Sequence, residues 1–190
     1  MVLALPLLVG LALALALGGS LRALGELRLR SLWLFYLAIG LQVVAFPFGP
    51  LPWTTSPGVA SALWLVSYGL LVAAAVRNLR VPGVAIVGAG MLMNVAAIVA
   101  NGGRMPVLPD AMRAAGHEYA IQHNSEAVAD PRLSWLVDRW AAPEWVPLAN
   151  VYSAGDVVIA LGGLAFALVA TGAVARVAGR TGALLPRPQQ

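Results

Sequence analysis

The sequence contains no cysteine and no lysine. Without cysteine, the chain has no disulfide, no thiolate metal ligand and no cysteine nucleophile. Charge is scarce as well, because 11% of the 190 residues are charged, whereas soluble domains average about 25%. The 12 basic residues are all arginine and form no run with interleaved aromatic residues. The sequence therefore predicts no nucleic-acid partner.

Apolar residues make up most of the chain: 60% of it is hydrophobic, and the mean hydropathy is +0.82. Segments of about 20 apolar residues are long enough to cross the hydrocarbon core of a bilayer. Charge-free apolar segments cover about residues 2–19, 31–48, 58–76, 81–100 and 153–175. A helix satisfies its own backbone hydrogen bonds in lipid. The sequence therefore predicts an all-α integral membrane protein with five transmembrane helices in a single membrane domain, residues 1–190.

Arginine is concentrated in short charged segments, which are residues 20–30, residues 77–80 and the tail, residues 176–190. Five alternating helices would place these segments on one side of the membrane. Basic loops of membrane proteins face the cytoplasm. The predicted N-terminus is therefore outside, and residues 176–190 are predicted to form a cytoplasmic tail.

The segment between the fourth and fifth apolar segments, residues 101–150, is too long for a plain connection. We expect an extracytoplasmic loop with short interfacial helices. Pro109 suits the first position of one helix. A second helix is predicted over residues 131–141, lying on the outer membrane interface. Its apolar face has the helical spacing i, i+3, i+4, i+7 and consists of Leu133, Leu136, Val137 and Trp140.

The end of the fourth apolar segment, "ANGGRMPV", has two interpretations. In the first, Asn101 caps the helix, Gly102 takes the left-handed position after it, and Pro106 prevents the helix from resuming. In the second, Gly102 and Gly103 expose their amides and form an anion-binding nest beside Arg104. Either way, Arg104 needs a partner if it lies near lipid.

The start of the fifth apolar segment, "YSAGDVVIALGG", carries a lone acid, Asp156. Ser153 and Asp156 are spaced as a capping box, with Ser153 as the N-cap and the acid three residues later. We also expect Asp156 to form an ion pair with Arg104, because each is otherwise a lone charge near lipid.

Small and polar residues form a stripe at helical spacing on each of these two segments. Small residues allow close helix approach in lipid, and a buried amide can bond across the pair. The sequence therefore predicts a contact between the two helices, with a hydrogen bond from Asn94 across it. Gln42 either joins this contact or forms a hydrogen bond elsewhere. The stripes are Gly90, Asn94, Ala97 and Asn101 on one helix, and Asp156, Ala160, Gly163 and Ala167 on the other.

The two motifs, "VANGGRMPV" and "YSAGDVVIALGG", together with the opening "LALALALGGSLRALGELRLRSLWL", resemble a family of small uncharacterised bacterial multi-pass membrane proteins with a domain of unknown function. The resemblance implies a multi-pass protein of the bacterial cytoplasmic membrane and brings no established activity. The positions that it marks as the family's signature are Asn101, Gly102, Gly103, Arg104, Met105, Pro106, Ser153, Gly155 and Asp156.

The sequence offers no metal motif, no cofactor motif and no catalytic constellation. His117 and His123 match no metal-ligand spacing and are expected to be solvated. We therefore expect a non-enzymatic accessory or binding protein in the lipid bilayer, whose outer face contacts a partner membrane protein or lipid.

Two other functions stay open. One is an outer-leaflet enzyme acting on an anionic lipid or lipid-linked substrate, in which Arg104 and the glycine amides hold phosphate and Asp156 or a histidine acts as base. The other is a small transporter lined by Gln42, Asn94 and Asp156.

Overall fold

The computed structural model describes residues 4–46, 54–115, 125–142 and 151–184. This part of the chain is mostly helical. Its helices are α1 (Ala4–Ala16), α2 (Leu21–Gly25), α3 (Trp33–Ala45), α4 (Pro57–Arg77), α5 (Val84–Ala100), α6 (Pro109–Ala114), α7 (Ala154–Ala170) and α8 (Ala173–Leu184). Its strands are β1 (Met105–Val107), β2 (Ser125–Ala127), β3 (Trp140–Ala141) and β4 (Val151–Tyr152).

The long helices pack side by side in the order α3, α4, α5, α7, α1. Helices α5 and α7 are antiparallel, because Gly90 in the middle of α5 meets the start of α7 while Gly83, before α5, meets the middle of α7. Helix α1 packs on the outer side of α7. There Ala14 and Ala167 share a small buried cluster, and the Ser20 amide donates to the Thr171 carbonyl at 2.9 Å.

The prediction of an all-α protein with five transmembrane helices is wrong. By length and composition, one described helix, α4, is long and apolar enough to cross a bilayer. A second is added if α7 and the start of α8 (Ala173–Gly179), which bend by 59° at their junction, are counted as one broken span. Four short strands are present as well. The predicted orientation rested on five alternating spans, so it is withdrawn together with them.

Apart from α4, the long helices are shorter than the apolar segments that contain them, and glycine turns adjoin α1, α5 and α7. Helix α3 has 13 residues and rises only about 20 Å, whereas the hydrocarbon core is about 30 Å thick. Helix α1 ends at a turn in which Gly18 has a φ of 94°, and α7 is separated from α8 by Gly172 with a φ of 75°. For these helices, the length of the apolar segment in the sequence is greater than the length of the helix that forms.

The predicted contact between the helices that carry Asn94 and Asp156 is confirmed as the α5–α7 pair. A methyl group at Gly90 would lie 2.5 Å from the carbonyl oxygen of Gly155, so the two backbones approach as closely as glycine allows. The face predicted for α7 is only partly right. Its contact continues through Ile159 and Gly162, whereas the predicted Gly163 and Ala167 face α1.

A small cap covers the end of α5, which extends beyond the start of α7. Strand β1 pairs in parallel with β2, and on its other side Val107 forms a parallel bridge with Asp138. We call β1, β2 and residues 132–138 the cap. On its inner side, Leu136 and Val137 pack on Ala97 and Ile98 of α5.

The predicted interfacial helix over residues 131–141 is also wrong. Residues 132–137 form successive turns, with Leu133 at a φ of 53°, before the bridge at Asp138 and strand β3. The side chain of Leu136 is buried in the cap, whereas Trp140 is exposed. The other predicted helix is confirmed, because α6 begins with Pro109 at its first position.

Candidate functional site

The end of α5 adopts the capped geometry of the first interpretation of "ANGGRMPV". Asn101 is the C-cap residue, and Gly102 follows it with a φ of 78°. The Gly103 amide donates to the Ile98 carbonyl at 2.9 Å, the bond by which a Schellman turn closes a helix. Gly103 also has a positive φ, of 93°, so this turn requires glycine at two successive positions.

The side chain of Asn101 ties the end of α5 to the cap. Its Oδ1 accepts from the Arg132 amide at 2.9 Å, and its Nδ2 donates to the Arg132 carbonyl at 2.9 Å. The same Nδ2 donates to the Ala97 carbonyl at 2.8 Å. An asparagine side chain thus pairs with both backbone groups of one residue, as a neighbouring strand would.

Arg104 does not pair with Asp156, so that predicted ion pair is wrong. Its guanidinium lies 3.7 Å from Glu126 Oε2 on β2, and its side chain is 31% exposed. Arg104 stands at the edge of an open groove of about 490 Å³ between the start of α4 and the end of α5. The groove is lined by Pro57, Gly58, Ser61, Ala62, Leu65, Val99, Gly102, Gly103 and Arg104.

The predicted capping box at the start of α7 is confirmed. The Ser153 hydroxyl accepts from the Asp156 amide at 3.1 Å, and Asp156 Oδ2 accepts from the Ser153 amide at 3.0 Å. The pair satisfies two backbone donors that the helix leaves unpaired. This local motif explains why an acid stands at the start of an apolar helix.

Asn94 extends the capping box across the α5–α7 contact. Its Nδ2 donates to Asp156 Oδ1 at 2.9 Å, and its Oδ1 lies 2.9 Å from the Ser153 hydroxyl. Asn94 is only 3% exposed and Ser153 is fully buried. Gly155 makes this geometry possible, because a methyl group there would collide with the Asn94 side chain. We call Asn94, Ser153 and Asp156 the α5–α7 polar network.

A second acid, Asp138, lies beside this network. Its side chain is 8% exposed, and burial, with a further contribution from the charge of Asp156, raises the pKa of Asp138 to about 8. Tyr68 of α4 interacts with the Asn94 side chain and with both acids. Asp138 and Tyr68 are thus two residues near the α5–α7 polar network that the sequence analysis missed.

The local sequence gives no signal for Asp138 or for Tyr68. Residues 132–137 form turns, and Leu136, Val137 and Asp138 are all buried, so neither a helical spacing nor a strand alternation singles out Asp138. Nothing in the local sequence of Tyr68 distinguishes it from other residues of an apolar helix.

The structure divides the predicted site residues into two groups. One is the α5–α7 polar network with Gly155, and the other is the turn that follows α5, with Asn101, Gly102, Gly103, Arg104 and the buried Pro106. Gln42 belongs to neither group, because it donates to the Ser67 hydroxyl at 3.0 Å in the α3–α4 contact. His117 and His123 lie outside the described residues.

Comparison with known proteins identifies a family and no function. No curated protein and no solved structure matches the chain. One family model, described as "Family of unknown function (DUF5317)", matches residues 26–168, a stretch that contains both groups of site residues. Because this match covers well over half of the 190 residues, the chain belongs to DUF5317, a family of unknown function.

Proposed function

We propose that this protein is a non-enzymatic binding protein of the bacterial cytoplasmic membrane that holds a lipid with an anionic headgroup. The observation that carries the proposal is the groove beside Arg104. Its lining combines one cation and a glycine turn with apolar side chains of α4 and α5. A phospholipid has the same combination, a charged headgroup joined to apolar chains.

The polar end of the groove suits a phosphate. Arg104 supplies a guanidinium, which binds phosphate through two parallel hydrogen bonds. Helix α4 begins at the same end, with Pro57 and Gly58 in the lining, and the start of a helix favours negative charge. The competing partner of Arg104 is Glu126, whose side chain is 55% exposed. An exposed pair of this kind is worth only about 0–1 kcal/mol, so an anion can displace it.

The apolar end of the groove leads onto an apolar surface. Leu65 and Val99 line the groove, and Val59, Val66 and Val99 expose about half or more of their surface. Only 28% of the apolar window of α4 is buried, whereas a core helix of a soluble protein would be mostly buried. Exposed apolar surface of this extent favours contact with lipid.

The same arrangement supports two finer proposals. We take the "NGGRMPV" and "SAGDVVIALGG" stretches to be the functional signature of the family, because the first lines the groove and the second builds the α5–α7 polar network.

We also prefer a binding function to a catalytic one. Arg104 pairs with Glu126, whereas Asp156 is hydrogen-bonded within the α5–α7 polar network. The cation and the acid that the enzymatic hypothesis requires therefore do not form one site.

The test is lipid retention by the purified protein, measured by native mass spectrometry. Phosphatidylglycerol and phosphatidylcholine with the same acyl chains are added separately to the detergent-solubilised protein. We expect phosphatidylglycerol to be retained preferentially. Arg104→Gln should weaken that retention roughly tenfold, equivalent to about 1.4 kcal/mol, whereas Glu126→Gln should strengthen it by freeing the guanidinium.

Arg113→Gln is the matched control, because Arg113 also pairs with an acid, Asp110, but lies outside the groove. Equal retention of the two lipids, or equal losses in the Arg104 and Arg113 variants, would contradict the proposal. Co-purification of one protein in stoichiometric amount, without lipid preference, would support a partner protein instead.

A further inference from the structure

A cavity of about 310 Å³ lies between the long helices, and its described lining shares no residue with the groove or with the α5–α7 polar network. Each of α1, α3, α4, α5 and α7 contributes to its wall. These helices pack in the order α3, α4, α5, α7, α1, so the two end helices can face one cavity only if the row curves around it. We call this space the apolar cavity.

The wall of the apolar cavity leaves no side-chain hydrogen bond for a ligand. Among the described lining residues, Asn78 alone has a polar side chain. Its Nδ2 donates to the Arg30 carbonyl at 2.9 Å and to the Ala74 carbonyl at 2.7 Å, and its Oδ1 accepts from the Arg30 amide at 2.7 Å. A water molecule in a cavity needs about two to four polar partners. Hydrocarbon therefore suits this cavity better than water.

The volume of the apolar cavity indicates how much hydrocarbon it holds. An apolar cavity of roughly 150 Å³ accepts benzene, a ring of six carbon atoms. The volume of about 310 Å³ is about twice as large, so it has room for about a dozen carbon atoms. Small residues of α7, Ala160 and Gly163, stand in the wall. A methyl group at Gly163 would lie 3.7 Å from Leu7 Cδ1, an ordinary contact distance, so the wall is not closed by tight packing there.

Connecting segments form one end of the apolar cavity, and both carry arginine. Leu29, which precedes α3, lines the cavity and stands between Arg28 and Arg30 in sequence. Asn78, which ends α4, lines it from the other segment. The hydrogen bonds between Asn78 and both backbone groups of Arg30 hold the two segments together. The exposed side chains of Arg28 and Arg30 therefore belong to this end of the cavity.

The charge at this end is strongly positive. Arg77, next to Asn78, donates to the Ser31 hydroxyl at 3.0 Å, which places its guanidinium beside the segment that carries the other two arginines. The chain contains no acid between Glu26 and Asp110, and Glu26 pairs with an arginine of its own, Arg22. An anion is therefore favoured where the two segments meet.

We propose that the apolar cavity binds the chain of a fatty acid, with the carboxylate held among Arg28, Arg30 and Arg77. A fatty acid joins the two properties of the site. Its alkyl chain requires no hydrogen bond, and its carboxylate binds a guanidinium through two parallel hydrogen bonds. The cavity lies near the end of α4, whereas the groove lies at its start, so the proposal does not depend on lipid binding in the groove.

The first test is calorimetric titration of the purified protein with straight-chain fatty acids. The protein is kept in digitonin, whose rigid steroid group offers no alkyl chain to compete for the cavity. From octanoate to dodecanoate, we expect affinity to rise roughly fourfold for each added methylene group. The affinity should then level off, because longer chains extend beyond the cavity. Dodecanol, which has the same length and no charge, should bind roughly tenfold more weakly than dodecanoate.

The variant Ala160→Leu tests the cavity itself. The larger side chain occupies part of the space, so the affinity for dodecanoate should fall by roughly tenfold. The thermal midpoint of the ligand-free variant should stay the same or rise, because the added atoms gain contacts in a space that is otherwise unfilled. Ala96→Leu is the matched control, because Ala96 is an exposed alanine of α5 outside the cavity, and its affinity should equal that of the unmodified protein.

The double variant Arg28→Gln with Arg30→Gln tests the carboxylate. It should bind dodecanoate roughly tenfold more weakly and dodecanol as before, whereas Arg113→Gln should change neither. Equal losses for the acid and the alcohol would overturn the proposal, as would unchanged dodecanoate binding in Ala160→Leu or an affinity that keeps rising through hexadecanoate. Displacement of dodecanoate by an equal amount of phosphatidylglycerol would also overturn it, in favour of a phospholipid chain. Absence of binding, with a lowered thermal midpoint in Ala160→Leu, would show that the chain itself fills the space.

Discussion

Two helix pairs in this protein, α3–α4 and α5–α7, are both largely apolar but are held together differently. In the α3–α4 pair, Gln42 donates to Ser67 and Ser67 donates to the Trp64 carbonyl at 2.6 Å, so each of the two contacts is a hydrogen bond between neutral groups. Glycines of these helices, such as Gly40 and Gly69, have nothing within 4 Å of where a methyl group would lie. In the α5–α7 pair the backbones touch at glycines, and the network between them contains an ionisable acid.

The difference separates a structural contact from a candidate functional one. Neutral groups with matched hydrogens stabilise a helix pair at every pH. Bringing an ionisable acid into such a contact is costly, so its presence makes the α5–α7 contact the candidate functional one. The following substitutions compare the two pairs, from the largest expected effect to the smallest.

The largest effect is expected from a methyl group at the glycine contact. At Gly155 it would lie 2.7 Å from the Gly90 carbonyl oxygen and closer still to the Asn94 side chain. Gly155→Ala should therefore cost about 3 kcal/mol of stability by overpacking. Gly69→Ala on α4 is the matched control and should be neutral or stabilising by up to about 1 kcal/mol. Urea unfolding in detergent measures both, and equal effects would show that the α5–α7 approach is not unusually close.

A smaller effect is expected when the amide of each pair is replaced by an isosteric apolar side chain. Asn94→Leu removes one hydrogen-bond partner from the buried Ser153 and one from the partly buried Asp156, which should cost about 2–3 kcal/mol. Gln42→Leu removes one bond to Ser67, and this hydroxyl keeps its bond to a carbonyl. That change should cost about 1 kcal/mol or less. If the glutamine proved more important than the asparagine in the same unfolding assay, the distinction between the pairs would fail.

The smallest effect concerns the serines that begin the helices. Ser153 caps α7 with its side chain, whereas Ser56, at the start of α4, makes no side-chain cap bond. Ser153→Ala should cost about 1 kcal/mol, and Ser56→Ala should have almost no effect. Thermal unfolding monitored by circular dichroism is sufficient to compare them. A comparable loss in both variants would mean that the hydroxyl at position 153 does not act through the cap.

Local motifs were the part of this protein that could be predicted from its sequence. The box formed by Ser153 and Asp156 and the glycine cap at Gly102 each extend over a few residues, and their geometry is fixed by backbone groups close in sequence. The contact between α5 and α7 was predictable for a related reason, because small residues with one buried amide indicate close helix approach.

The remainder depended on contacts between residues far apart in sequence. Residues 131–141 have helical spacing, but Asn101 binds the backbone of Arg132 from 31 positions away and holds this stretch in turns. The partner of Arg104 is likewise on β2, which no local pattern links to it. Helix length was predicted wrongly for a different reason. Hydropathy gives the length of an apolar segment, but a glycine with positive φ can end the helix before that segment ends.

The pairing of Asn101 with Arg132 has a consequence for how this protein can vary. Because one side chain fixes both backbone groups of a residue on the far side of the cap, the position of that residue does not depend on the length of the chain between them. Doubling the length of a flexible connection costs only about 0.6 kcal/mol in closure entropy. The chain between Asn101 and Arg132 can therefore change in length among relatives while the end of α5 and the cap keep their relative positions.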